Sequence, residues 1–460
     1  MPQVLTRYNF TRFDSLVLIV AVSLLLALGL VIWRGDQVGL QVISLSPAAD
    51  ATQVSTRSPI QVTFDQPLQT SADGSPFMIT PPLTGSTRWE GSTLFFAPET
   101  PLQADTTYRV SLAEDVTAER GRSLPEPVVW QFRTGQPRVL YVAKDQAGHD
   151  QLFVINADGS DASQLTHESY GIFDYSLSPD GVQLAYAGLR EDGGSDLWKI
   201  DLVSRDRSPL LLCPEAVCTG VAWRPQSQSL VYERRVMVVP GAAPGPPRLW
   251  WLEVATGQTV AVFDDSQIIG YGAAWSPDGQ WLAYIAPSSQ GVQVYHVEDG
   301  RSVLVPSRLG SAGVWSPQGD SLLVADIQRA DEGFSVHLLK ARPTGGDLVD
   351  ITGQGQFVED TSPAWSPDGA WLVITRKAAG ASMGKQLWLL RPDGSEARAL
   401  TTDTDLHHAL PVWSPDGRTI AFQRFALREI DSTPSLGLVE LETGEMRNLV
   451  PSGNRPAWLP

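Results

Sequence analysis

The chain has 460 residues, 42% hydrophobic and 18% charged, which is the composition of folded protein and length for about three domains, or fewer if one is a large all-β unit. Forty glycines and thirty-four prolines favour turn-rich β structure over helices. A formal net charge of −17 and a pI near 4.8 argue against a nucleic-acid surface, which needs a basic face to neutralise phosphates, and leave cationic or metal-bearing partners at most.

In chain order, a short stub (1–14) precedes "SLVLIVAVSLLLALGLVIW", residues 15–33, which carries no charge. That length predicts a helix able to cross a bilayer core of about 30 Å. Its apolar run is too long for an ordinary cleavable signal, and no small-x-small site follows cleanly, so a signal anchor is expected. Arg7 and Arg12 precede it, while Arg34 is nearly cancelled by Asp36, which puts the N-terminus in the cytoplasm. The expectation is a single-pass protein of the bacterial plasma membrane, with everything beyond a linker (34–41) outside.

Residues 42–135 read as short strands between Pro, Gly, Asp and Thr turns: "PIQVTF", "TLFFAP", "TYRVSL" and "VVWQFRT". Some seven strands in this length suggest an Ig-like sandwich, with Tyr108 placed like a tyrosine corner. The stretches "VISLSPAADATQVSTRSPIQVTFDQPL", "STLFFAPETPLQADTTYRVSL" and "WQFRTG" resemble the bacterial SbsA-type Ig-like domain. That resemblance implies a spacer module of envelope proteins with no catalytic residues.

From residue 138 onward one phrase recurs. "WSPDG" stands at 275–279, 365–369 and 413–417, "LSPDG" at 177–181, "WRPQS" from Trp223 and "WSPQG" from Trp315, and the chain stops on "AWLP". Spacings of 40 to 52 residues between the motif prolines match one four-stranded propeller blade. Ser, Pro and Gly at the first, second and fourth positions suit a type I turn, as at Pro179-Asp180-Gly181, Pro277-Asp278-Gly279, Pro367-Asp368-Gly369 and Pro415-Asp416-Gly417. The large rings of Trp223, Trp275, Trp315, Trp365, Trp413 and Trp458, on the strand entering each turn, can fill the space between neighbouring sheets. Each unit therefore reads as strand A, SPDG turn, strand B, loop, strand C, turn, strand D.

The first unit has B, C and D ("RVLYVAK", "QLFVINADGS", "ASQLT") but no A, and the last residues, "RPAWLP", supply an A alone. Joining them leaves no open edge and gives seven blades over 138–460. The fold class is thus all-β: a sandwich and a seven-bladed β-propeller behind one transmembrane helix. "WSPDG" at this spacing resembles the TolB-type propeller repeat, a relative of the WD repeats, which implies protein–protein interaction in the bacterial envelope.

Catalytic motifs lack their context. Gly380-Ala-Ser382-Met-Gly384 matches G-x-S-x-G but joins two strands of one blade, where a nucleophile elbow needs a strand before it and a helix after it. His407 and His408, beside Asp403 and Asp405, suggest a metal pair, yet adjacent residues of an extended segment point oppositely. No metal site and no cofactor is expected. Cys213 and Cys218, in "CPEAVC", have no other partners and read as a local disulfide.

A–B and C–D turns are nearly constant, whereas B–C and D–A loops differ in every blade, so a ligand is expected at the loop end. The D–A loops carry Glu168, Glu215, Asp264, Asp265, Glu359, Asp360, Asp403 and Asp405 against Arg308 and Arg455. Two interpretations stand side by side: a solvated rim of an acidic protein, or an electronegative mouth for a basic segment, with His407 and His408 adding pH dependence. The sequence points to a membrane-anchored extracytoplasmic binding or scaffold protein that recognises a protein or cell-wall component. The alternative is a glycan hydrolase or lyase using paired carboxylates at the channel mouth.

Overall fold

The computed structural model describes residues 11–35, 39–56, 58–69, 76–99, 102–113, 116–119, 121–239, 243–330, 333–353, 356–378, 384–403, 405–429 and 432–459. Apart from a helix, Arg12–Gly35, and one helical turn, Pro287–Ser289, its regular structure is β-strand. The chain divides into two compact units. One holds most of the chain up to Arg133; the other is Thr134–Pro460 with the short segments Gln53–Ser58 and Pro101–Thr106.

The expected membrane anchor requires correction. Among the described residues no helix is long and apolar enough to cross a membrane. The helix spans Arg12–Gly35, and its uncharged run, residues 15–33, rises about 28 Å at 1.5 Å per residue, a little short of the ~30 Å hydrocarbon core. The single-pass plasma-membrane placement and the membrane partner fall with it. Of the N-terminal stub, residues 1–10 lie outside the described residues.

The first unit contains two antiparallel sheets. One orders strands Val42–Ser46, Ile60–Phe64, Thr93–Pro98 and Gly85–Glu90; the other orders Phe77–Thr80, Thr107–Leu112 and Val128–Arg133. Strict alternation dictates the core, because successive side chains of a strand take opposite faces. Ile60, Val62, Phe64, Leu94 and Phe96 are buried from one sheet, and Tyr108, Val110, Leu112, Trp130 and Phe132 from the other. Tyr108 is fully buried, its ring stacked on Phe132 at 5.6 Å.

In the second unit, strands Arg138–Lys144, Asp150–Asn156 and Ser163–Gln164 form a sheet whose fourth, innermost member is the C-terminal strand Asn454–Leu459. Trp458 pairs with Val139 and Leu459 with Arg138, so the incomplete ends join as expected. Antiparallel groups of four strands follow over 172–211, 216–261, 271–306, 314–350, 358–399 and 406–450; the first two are joined by a parallel bridge, Ser195 to Val217, and the fourth and fifth by another, Val336 to Glu359. Apolar clusters fill the spaces between consecutive sheets. Leu140, Leu152 and Val154 pack on Leu184, Tyr186 and Ile200 of the next sheet, while Val139, Tyr141 and Ile155 pack on Ala421, Leu436 and Leu438 of the last.

The repeated phrase has a chemical reason beyond the turn. In the turn from Ser276, the serine hydroxyl donates to Asp278 Oδ1 at 2.5 Å and accepts from the Trp281 amide at 2.9 Å, and Asp278 also accepts from the Gln280 amide at 3.0 Å. The same set recurs at Ser178, Ser366 and Ser414. Gly279 closes the turn onto the Ser276 carbonyl with φ +66°, a conformation that penalises any Cβ. Five of the six motif indoles bond to the preceding sheet: Nε1 of Trp223, Trp275, Trp315, Trp413 and Trp458 donates to the carbonyl of Ser176, Ala222, Ala274, Ala364 and Val412 respectively, at 3.0–3.3 Å. The tryptophan therefore both fills the gap between sheets and bonds across it. Trp365 fills its gap without such a bond.

Candidate functional site

The innermost strands border an open cavity of about 690 Å³. Asp174, Tyr175, Val314, Ser362, Pro363, Leu410, Pro411 and Arg455 are among the residues that line it. The shape of its wall follows from a defect repeated in these strands. Pairing with the second strand slips after Ile172, Thr219, Tyr271, Thr361, Ala409 and Asn454, in each case resuming about three residues on. These are β-bulges, and the first bulged residue is left-handed at Gly220, Gly272, Ser362, Leu410 and Arg455, with φ from +48° to +66°. Holding Ser, Leu and Arg there costs of order 1 kcal/mol or more each, so the surrounding sheets must enforce it.

Neighbouring sheets supply acceptors for the exposed bulge amides. Gly220 donates to Asp174 Oδ2 at 2.5 Å, Gly272 to Glu233 Oε1 at 2.8 Å, and Arg455 to Gln423 Oε1 at 3.3 Å. Burial raises the Asp174 carboxyl to about 6, against the lowering effect of the Gly220 N–H. Its Oδ1 is buried without a hydrogen bond among the described residues. Tyr175 donates to the Arg455 carbonyl at 2.5 Å, and burial pushes its hydroxyl well above the usual range. The Arg455 guanidinium donates to the Phe173 carbonyl at 2.5 Å.

The acidic rim is dispersed, and much of it is neutralised. Glu168 accepts from the Tyr186 hydroxyl at 2.7 Å and pairs with Arg207 at 2.6 Å. Asp360 is fully buried in a two-point pair with Arg376, at 2.7 and 2.6 Å, so it is not a rim group. Glu359 lies 3.7 Å from Lys377 and 3.8 Å from Lys385, whose ammonium also donates to the Thr361 hydroxyl at 2.9 Å. Asp405 pairs with Arg428 at 3.1 Å. Glu215, Asp264, Asp265 and Asp403 are exposed on their loops, and Arg308 pairs with buried Asp326 at 3.0 Å. The compensating Arg207, Arg376, Lys377, Lys385 and Arg428 lie outside the D–A loops, and loop composition alone does not reveal them.

His407 and His408 diverge, as the geometry of a strand requires. His407 stacks on Phe425 at 4.8 Å, whereas His408 is buried, with Nδ1 at 2.8 Å from the Thr401 hydroxyl. Burial lowers both, His408 to about 4, so His408 does not charge near neutral pH as a rim sensor would. No group of three His, Cys, Asp or Glu side chains among the described residues is placed to hold a metal. Cys213 and Cys218 form a disulfide, with 6.4 Å between their Cα atoms. Of the G-x-S-x-G stretch, residues 380–383 lie outside the described residues.

A signal for the cavity was present in the sequence. The strands read "TSPAW", "ALPVW" and "NRPAW", with proline two residues before the tryptophan, and "TGVAW" and "YGAAW" place glycine three before it. Proline cannot donate to a ladder and is confined to edge strands and bulges, and each of these innermost strands is both the edge of its four-stranded group and bulged.

Residues 36–134 match the family model described as bacterial Ig-like domain, and residues 255–460 that of the TolB beta propeller domain. The first match is to the bacterial Ig-like class, and the narrower SbsA-type assignment is not carried by it. Human coronin-7 is 27% identical over 248 residues, 53% of this chain and 25% of coronin-7, so the chain spans about a quarter of that relative. Among solved structures, puromycin hydrolase has a TM-score of 0.52 at 17% identity, covering 70% of this chain and 55% of that one. TolB from Acinetobacter baumannii has a TM-score of 0.43 at 14% identity, covering 84% and 83%.

Proposed function

This chain carries a TolB-like β-propeller preceded by a bacterial Ig-like domain, and from that premise we propose that it is a binding module. A ring of seven blades over residues 138–460 takes a polypeptide segment of a protein partner into its central channel, and the Ig-like domain, residues 42–135, acts as a spacer. The observation that carries this reading is the cavity of about 690 Å³, whose proline- and leucine-bearing bulges offer an apolar wall. Ligand sites of this kind gain affinity from apolar burial and orientation from a few polar groups. Here those are the hydroxyls of Ser311 and Ser362. The blade count rests on the six groups of four antiparallel strands that carry their own inner strand and on the one completed by Asn454–Leu459.

A glycan hydrolase or lyase draws less support. Paired-carboxylate chemistry needs two carboxyl groups about 5–9.5 Å apart across the scissile bond. The cavity wall offers Asp174 alone, and Glu168, Asp360 and Glu359 are engaged by arginine or lysine.

The test is selection of a random peptide library on the wild-type chain and on Leu410→Asn and Ser311→Trp variants. Asparagine tolerates the left-handed conformation of residue 410 at least as well as leucine, so the first variant removes apolar surface without straining the fold. The expected result is a peptide class enriched by the wild type and lost in both variants at unchanged melting temperature. Equal enrichment by all three would remove the channel as the binding place. Polysaccharide cleavage that both variants lose would install the enzyme instead.

A further inference from the structure

Away from the channel, strands Ser229–Val236 and Arg248–Glu253 place two arginines directly opposite one another, Arg234 against Arg248. Directly opposed residues of an antiparallel pair share a face, with Cβ atoms about 5 Å apart, and like charges there are destabilising. Trp250, two residues beyond Arg248, lies on the same face. The Arg234 guanidinium sits over its ring at 5.2 Å.

In a chain with 51 acidic and 34 basic side chains, arginine normally finds a carboxylate. Neither Arg234 nor Arg248 has an ion pair among the described residues, and Arg234 Nε is buried without a hydrogen bond. The nearby carboxylates are turned elsewhere. Glu233, on the opposite face of the strand, accepts from the Gly272 amide at 2.8 Å and lies 3.5 Å from Arg235. Asp265 Oδ1 accepts from the Gln267 amide at 2.8 Å. Both guanidinium groups line an open pocket of about 560 Å³, whose remaining wall includes Trp250, Pro246, Ile269 and Gln267.

We propose that this pocket binds an organic carboxylate attached to an apolar or aromatic body. Two unpaired guanidinium groups on one face form a fork for a planar anion, and charge-assisted bonds of this kind are about twice as strong as neutral ones. The bound anion removes the repulsion between the arginines. Its body covers Trp250, Pro246 and Ile269, surface that an inorganic anion leaves unused. The carboxylate is that of a small aromatic acid or of a polypeptide C-terminus with an apolar last side chain. The site is independent of the channel, so failure of either proposal leaves the other standing.

Isothermal titration of the full chain decides it, with four organic probes and sodium sulfate. The probes are hydrocinnamate and its amide, and N-acetyl-glycyl-phenylalanine as free acid and as amide. Both acids should bind, the amides at least about tenfold more weakly, and affinity should fall as salt rises. Arg234→Gln and Arg248→Gln should each weaken binding about tenfold without lowering the melting temperature, because each relieves a like-charge contact. Trp250→Leu should weaken hydrocinnamate and leave sulfate unchanged. Tighter binding of hydrocinnamate assigns the site to small acids, and tighter binding of the peptide acid assigns it to chain termini. Acid and amide binding equally, on wild-type protein that needs no variant to fold, would overturn the proposal. So would glutamine variants that bind like the wild type, sulfate as tight as hydrocinnamate, or no acid binding at all.

Discussion

Replacing Asp360 by asparagine keeps the shape of the side chain and removes its charge. In the native protein both carboxylate oxygens are held by Arg376, and the Thr352 hydroxyl donates to Oδ2 at 2.8 Å. Asp360 is fully buried, and the Arg376 side chain is 11% exposed, with its guanidinium 5.0 Å from the Trp388 ring. The guanidinium therefore cannot turn to water. The neighbouring carboxylate, Glu359, is committed to Lys377 and Lys385. Uncompensated buried charge of this kind costs about 3–5 kcal/mol.

The assay is urea unfolding followed by tryptophan emission, with the transition midpoint compared between variants because the chain has more than one domain. At a slope of about 3 kcal/mol per molar urea, Asp360→Asn should lower the propeller midpoint by more than about 1 M. The double variant Asp360→Leu with Arg376→Met should recover most of that loss, since apolar residues of similar volume commonly replace a buried pair without penalty. A shift below about 0.3 M, equivalent to ~1 kcal/mol on the same slope, would refute the reasoning. So would a double variant no more stable than the single one. Were Asp360 a ligand-contacting rim group, asparagine would instead change binding and leave the midpoint alone.

Trp413→Phe should cost about 1–3 kcal/mol, read from the same midpoint, because the Ala364 carbonyl loses its indole donor and the gap between sheets loses part of its filling; Trp365→Phe, where no such bond exists, should cost less. His408, held at about 4 against an ordinary 6.5, should make stability fall as pH drops from 6.5 to 4, by about 3 kcal/mol, because the unfolded chain takes up a proton that the folded one refuses. Asp174 acts oppositely, losing stability as pH rises from about 4 to 6, so the informative quantity is wild type minus His408→Asn; a flat difference would remove the burial argument.

The sequence carried local and periodic information well. The SPDG turn, the tryptophan positions and the incomplete ends follow from chemistry within a few residues, or from spacing that repeats, and the structure places them as expected. What it did not reveal depends on register between strands far apart in the chain. Arg376 meets Asp360 because their strands pair, and Arg234 opposes Arg248 because an intervening loop returns the chain at that offset and no other. Loop composition gave an acidic rim; pairing neutralised much of it. The N-terminal apolar run was judged on length and lack of charge alone, and no described helix meets the requirement for crossing a membrane.

The first repeat departs from the rest, and the departure bears on what the channel can bind. Leu177 stands where the other units place tryptophan, so the joint between the first and last inner strands has no indole donor. Tyr175 and Arg455 take over, each donating to the other strand's backbone at 2.5 Å. Both line the cavity, yet their polar atoms are engaged in holding the joint. That leaves the hydroxyls of Ser311 and Ser362 as the free polar surface of the channel, which suits a largely apolar segment better than the highly charged one suggested by net charge. Unpaired positive charge is found instead at Arg234 and Arg248, outside the channel. The two surfaces therefore select for opposite chemistry, and a ligand for one has little reason to occupy the other.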